Sequence, residues 1–341
     1  MTSNEERKGF WNTLMEAHDA SEETSRRIAS AIPAVSTLCR FRTVNEHTLD
    51  QLQSNRLFFS SADYYDDPFD TYFYIDHAKI QNAVNTLRYL VKSGGKDGIK
   101  DMLSIAGISP HLHSAVNYAL EHATSEVPDT SYFFVELSSI RDSLLKSCYS
   151  ICFCDDPYNE SLWLKYGNAH KGFVQVYDMA NPDTVLCNKS ERCHYCMFRN
   201  SLPSIYPVYY SDERYDATRY AMTMCTYRVV SHDALLSSCG LADTLLGTTP
   251  WEIERISLIK KRCHEYDGEW RMICPHHPEA RPAIGMKPAY IALGLRMPKY
   301  ERRMVISAAR VAGIECVAEM YIDDNDHLNM RKTADATTNH Q

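Results

Sequence analysis

Short segments with strand character stand on both sides of a long helical stretch, and this order limits what the chain can fold into. Leu57 to Phe59 reads as a short strand. From about Asp76 to Lys146 apolar residues recur at helical spacing, as with Val84, Leu87, Leu90 and Val91 before a Gly-Gly stop. Strand signals resume at CYSICF, residues 148–153, and at GFVQVY, where Val174 and Val176 share a face. They continue at SIYPVYY, weakened by Pro207, at EWRMIC, at AYIALG and at IECVAEMYI. Regular βαβ units are missing, as are GxGxxG and GxxxxGK[ST], so a dinucleotide fold of the Rossmann kind and a nucleoside triphosphatase are disfavoured. The order predicts an α+β fold with a mixed or antiparallel sheet core and a helical insertion.

We expect an N-terminal helical arm over residues 1–37, one α+β domain over 38–325 with its insertion at about 76–147, and a loose tail over 326–341. The arm reads as helical over 4–34, with Trp11, Leu14 and Met15 on one side. At TPWE, Thr249 can cap a helix, Pro250 suits its first turn and Glu252 completes a capping box. A length of 341 residues is enough for a core that needs no disulfide or metal.

The 36 basic and 44 acidic side chains give a formal charge of −8, which argues against a surface that wraps a phosphate backbone but leaves room for a local basic cleft. The first residues lack the basic and apolar regions of a signal peptide, and no run approaches the roughly 18 apolar residues needed to cross a bilayer. We therefore expect a cytoplasmic protein, with no membrane partner and with its 12 cysteines reduced.

Several groups of residues can carry chemistry. CNKSERCHYC offers Cys187, Cys193, His194 and Cys196, but only one pair has the spacing of a zinc half-site. Free thiols and no metal are expected, with structural zinc as the alternative. In DYYDDPFD, the carboxylates of Asp63, Asp66, Asp67 and Asp70 can build a tight turn, line a ligand site or converge on Mg²⁺. Trp163 and Tyr166, three apart in ESLWLKYG, share a helix face and either pack in the core or stack on a planar ligand, with His170 following. Glu269 and Arg271 emerge on one side of a strand, opposite Trp270 and Met272, either as a surface pair or as part of a site. Neither GxSxG nor HExxH occurs.

CRFRTVNEHTLDQLQSNRLFFSSADYYDDPFD, SICFCDDPYNESLWLKYGNAHKGFVQVYD, IYPVYY and HEYDGEWRMI with KPAYIALG closely resemble the bacterial family catalogued as domain of unknown function 2971, over roughly residues 38–325. The family's aromatic-basic start falls on Arg40, Phe41 and Arg42, and its Asn-Asp-Pro-Phe-Asp motif on residues 66–70, with Asp66 in place of Asn. Its Trp-x-x-Tyr helix falls on Trp163 and Tyr166, its His and Gly on His170 and Gly172, and its late Glu and Arg on Glu269 and Arg271.

That layout is similar to the ADP-ribosyltransferase superfamily, whose usual His-Tyr-Glu signature is not visible in this chain. The resemblance implies an ADP-ribosyltransferase-like fold and NAD as cofactor. Arg42 would meet the NAD phosphates or ribose, Tyr166 or Trp163 would build the nicotinamide wall, and Glu269 would be the late Glu, with Glu269, Tyr166 and Arg42 as the catalytic set. Arg40, Asp67, Asp70 and His170 would complete the cofactor site. It also implies a nucleic-acid or protein acceptor and a bacterial toxin or antiphage role. The alternatives are a noncatalytic sensor or protein-binding module, and a Mg²⁺-dependent nuclease or phosphohydrolase using Asp66, Asp67, Asp70 and Glu269.

Overall fold

The computed structural model describes residues 1–72, 74–82, 85, 130–187, 204–224, 250–274 and 282–333. The fold is α+β. Its main sheet runs in the order β13-β12-β11-β5-β1-β4-β9-β6, built from β1 (Thr37–Arg42), β4 (Tyr149–Cys154), β5 (Phe173–Asp178), β6 (Ile205–Pro207), β9 (Glu269–Cys274), β11 (Tyr290–Leu293), β12 (Val317–Ile322) and β13 (Leu328–Lys332). A ninth strand, β3 (Ser60–Ser61), adds to β4. The sheet is mixed, since β11 and β12 are parallel and the other pairings antiparallel. Two small ribbons flank it. In one, β2 (Arg56–Phe58) pairs with β10 (Ala283–Gly285). In the other, β7 (Tyr209–Ser211) runs parallel to β8 (Ile259–Lys261).

The central strands are buried on both faces. Along β5, Val174 and Val176 share one apolar cluster, as their alternation predicts, while Phe173 and Tyr177 are buried in others. Pro207, which has no N–H to donate, ends β6, and Val208 separates it from β7 while still donating to the Glu269 carbonyl at 3.0 Å.

The N-terminal segment is an integral part of the core. It forms two helices, α1 (Asn4–Met15) and α2 (Glu22–Ala31), instead of one run over 4–34. Ser3 and Glu6 form a capping box on α1, and Arg7, Phe10, Trp11 and Leu14 lie buried at the i, i+3, i+4, i+7 spacing of one face. Phe10 stacks on Tyr206 at 5.6 Å and Trp11 on Tyr209 at 5.8 Å. Buried Arg7 donates to the Glu269 carbonyl at 2.6 Å, the Val208 carbonyl at 3.1 Å and the Asp155 carboxylate at 2.9 Å.

The C-terminal boundary also moves. Residues expected in a loose tail form β13, which pairs with β12 from Ile322↔Leu328 to Ala318↔Lys332. Thr249 lies outside the described residues, and the helix there, Glu252–Ser257, starts from Trp251 at φ 67 with no side-chain cap. Glu252 instead accepts from Arg255 at 2.8 Å and from the Tyr215 hydroxyl at 2.6 Å. Of the expected insertion, the helix Thr130–Ser147 is described, while the stretches at 86–129 lie outside the described residues, as do Cys193, His194 and Cys196.

Candidate functional site

The sheet opens between β1 and β4. β1 matches β5 along its whole length, from Thr37↔Asp178 to Arg42↔Phe173, and β4 matches β9 from Tyr149↔Cys274 to Cys154↔Glu269. Yet β1 and β4 share the single register pair Cys39↔Cys154. β4's second edge is divided: β1 holds it at Cys154, β3 holds it at Tyr149 and Ser150, and among the described residues no strand pairs with it at Ile151–Phe153. A cleft of about 720 Å³ fills this wedge, with Arg40, Phe41 and Arg42 on one side and Ser150, Cys152 and Phe153 on the other. An unpaired strand edge leaves backbone polar groups for a ligand to meet.

The floor is a buried cluster of four charges. Arg271 donates Nη1 to Asp70 Oδ1 at 2.8 Å, Nη2 to Asp70 Oδ2 at 2.6 Å and Nε to Glu269 Oε1 at 2.6 Å. The Lys260 ammonium meets Glu269 Oε2 at 2.8 Å and Asp70 Oδ2 at 3.1 Å. Burial alone would raise both carboxyls, but the charges of Arg271 and Lys260 overcome it and hold Asp70 and Glu269 below their ordinary values. Burial likewise works against the Lys260 charge, and the two carboxylates outweigh it and raise its value. Two acids and two bases leave the floor neutral overall with every member ionised. Tyr65 lies over the Arg271 guanidinium at 5.2 Å and its hydroxyl bonds Ser150.

Aromatic and polar side chains form the rim. Tyr166 remains 46% exposed at the cleft wall. Burial pushes its phenol up to about 12, with Lys260 opposing and Glu269 reinforcing the shift. Lys165 pairs with Asp267 at 3.2 Å, and His264 lies between Asp67 at 3.5 Å and Asp267 at 3.7 Å. The Arg42 guanidinium donates to Gln51 at 3.0 Å, and Arg40 lies over the Phe153 ring at 5.8 Å. Burial pushes the Cys152 thiol up to about 11 and raises the Cys39 thiol well above its ordinary value, so neither is a thiolate nucleophile near neutral pH.

Of the residues assigned to the NAD site from the sequence, Arg40, Arg42, Asp67, Asp70, Tyr166 and Glu269 line this cleft together, as does Asp66. Trp163 and His170 do not. Trp163 is fully buried, edge-on to Phe41 at 5.2 Å and stacked with His170 at 5.7 Å, and its indole donates to the Pro157 carbonyl at 3.0 Å. Tyr166 is the C-cap of the helix Glu160–Lys165 and still donates its N–H to the Leu162 carbonyl at 2.8 Å, so the helical spacing holds, but Trp163 turns into the core and Tyr166 to the cleft wall. Gly167 then folds tightly over Trp163, so that a Cβ there would sit 2.7 Å from the indole. Glu269 and Arg271 do share a side of β9, but that side is buried and is not a surface.

Lys260, Lys165, Tyr65 and His264 were not legible as site residues. Lys260 stands in a three-residue strand inside a basic run, which reads as solvated surface. Asp70 Oδ2 and Glu269 Oε2 converge on one cation, the Lys260 ammonium, and their other oxygens on Arg271. No group of three His, Cys, Asp or Glu among the described residues is placed to hold a metal ion. No described helix is long and apolar enough to cross a membrane. No protein-family model matches the chain, and no curated protein and no solved structure matches it.

Proposed function

We propose that the cleft binds NAD and that the chain is an ADP-ribosyltransferase-like enzyme acting on a nucleic-acid or protein group. The observation that carries this reading is the convergence of Arg42, Tyr166 and Glu269 on one cleft at the open edge of β4. An arginine fork suits phosphate oxygens, an exposed phenol ring suits a planar base, and a fixed carboxylate suits a ribose hydroxyl.

In the transfer, the nicotinamide–ribose bond breaks with its electron pair leaving on nicotinamide, and C1′ of the ribose gains oxocarbenium character. The acceptor then supplies the electron pair of the new bond and loses its proton. Glu269 is held ionised by Arg271 and Lys260, and a carboxylate has lone pairs beyond those two contacts for the ribose 2′-hydroxyl. A preorganised negative charge there stabilises the developing cation without rearrangement.

Calorimetry with NAD, ATP and nicotinamide tests the binding half. Arg42→Ala should weaken NAD more than Arg42→Lys, which keeps the charge but loses the fork. Equal affinity of Arg42→Ala and the parent chain would remove Arg42 from the site. A second reading, a nucleotide-binding module without turnover, is favoured by the charge balance of the floor, since both Glu269 oxygens already have cationic partners. NAD binding with no nicotinamide release in the presence of any acceptor would select it.

A further inference from the structure

A second cavity of about 600 Å³ adjoins the cleft, and Phe41, Arg42, Lys165 and Tyr166 line both. Each cavity alone has the size that holds one small ligand, about 300–1,000 Å³. The boundary between them carries two cations, Arg42 and Lys165, and one exposed aromatic ring, Tyr166. Beyond it, the second cavity offers the Phe58 and His47 rings, the Gln51 amide and the Asp50 carboxylate.

Local chemistry decides which of these groups are open to a ligand. Asn45 and Thr48 also line the cavity, but they are taken up by the capping box of the helix Glu46–Gln53. Gln51 accepts from Arg42 through its oxygen, which leaves its NH₂ as a donor. Asp50 is exposed at the rim. A purely apolar ligand would leave Asp50 and Gln51 unanswered, and a second polyanionic group would be repelled by Asp50. Arg56 lies over the Phe58 ring at 5.5 Å, and a flat heterocycle against that aromatic wall, with a vicinal diol toward Asp50, answers these groups.

We propose that the bound molecule is a dinucleotide whose two nucleosides occupy the two cavities, with its pyrophosphate at the Arg42–Lys165 boundary and its distal nucleoside in the second cavity. The assignment rests on the reading of the main cleft as an NAD site and adds where the adenosine half lies. Arg42 belongs to both cavities because it holds the bridge between them, and Gln51 fixes the guanidinium in that position.

Calorimetry with NAD, nicotinamide mononucleotide and AMP tests the assignment on the parent chain, Asp50→Asn and Phe58→Leu. Asp50 is exposed, so Asp50→Asn should leave the fold intact and keeps the test open should Phe58→Leu lower stability. NAD and AMP affinity should each fall about tenfold in Asp50→Asn, the loss of one hydrogen bond to a charged group, while nicotinamide mononucleotide affinity stays unchanged. Saturating adenosine, which carries no phosphate to compete for the Arg42–Lys165 boundary, should also leave nicotinamide mononucleotide binding intact. Two results would overturn the subsite and leave the NAD reading standing: NAD binding that neither variant alters, or adenosine that displaces nicotinamide mononucleotide. A parent chain that binds none of the three ligands would overturn both.

Discussion

The Arg271 guanidinium grips the Asp70 carboxylate through two parallel hydrogen bonds, at 2.8 and 2.6 Å, across 201 positions of sequence. This fork ties the acidic loop to β9, and it explains why Asp70 lies at the floor of the cleft instead of in solvent. Removing one partner of a buried pair leaves an uncompensated charge, and Asp70→Asn changes the floor from neutral to one net positive charge. The variant should lose about 3–5 kcal/mol of unfolding free energy. Urea denaturation of the two chains measures the difference, and a loss below about 1 kcal/mol would show the cluster to be well solvated.

The same cluster sets a pH window. Asp70 and Glu269 titrate below their ordinary values of 3.8 and 4.5, so their stabilisation is complete above those values and is lost as the pH falls through the folded-state ones. Lys260 titrates above its ordinary 10.5, so its contribution is complete below that value and is lost as the pH rises through the higher folded-state one. Melting temperature should therefore fall steeply on the acid side of about pH 4.5, and Asp70→Asn should flatten that limb. An acid limb of equal steepness in both proteins would remove Asp70 as its source.

Much of the sheet was legible from period-two alternation. The parity of Glu269 against Trp270 and of Val174 with Val176 survives in the structure because side-chain direction along a strand is local. The wedge between β1 and β4 was not legible, since it depends on which distant segment takes each stretch of β4's edge. Trp163 and Tyr166 keep their helical spacing, and what spacing alone leaves open is that the core takes Trp163 while Tyr166, the C-cap, borders the cleft. β13 was missed for a related reason. Its Arg331 and Lys332 and the acidic turn before it read as loop, and only pairing with β12 makes it a strand. The burial of Arg7 carried no signal beyond the apolar stripe on which it lies.

Gly172 gives a steric prediction. A Cβ at this position would lie 2.1 Å from the Arg42 carbonyl oxygen, at the junction of β5 with β1, so the backbone beside Arg42 must move to admit it. Gly172→Ala should cost about 1–3 kcal/mol and weaken NAD binding through the displaced Arg42. Thermal melting and calorimetry check the two effects. Unchanged NAD affinity in a destabilised variant would separate the strand end from the site.

Glu269→Gln tests whether the floor is chemical or purely structural. It keeps the side-chain volume but, like Asp70→Asn, leaves one net positive charge, so both variants should lose stability on a similar scale, about 3–5 kcal/mol. Their rates should differ. If the Glu269 charge faces an oxocarbenium-like transition state, Glu269→Gln should lower nicotinamide release by roughly 10²–10³-fold, with NAD affinity little changed. Asp70, whose two oxygens carry three contacts from Arg271 and Lys260 against two on Glu269, has less acceptor capacity left for a substrate hydroxyl and should show a smaller loss in rate. Glu265 does not line the cleft, and Glu265→Gln should leave rate and stability as they were. Release is to be measured with DNA, RNA and a cell extract as acceptors, at a temperature where melting curves show each variant folded. Equal losses in Glu269→Gln and Asp70→Asn would mean that the floor acts only by holding the cleft's shape, and a folded Glu269→Gln with full turnover would take Glu269 out of the chemistry altogether.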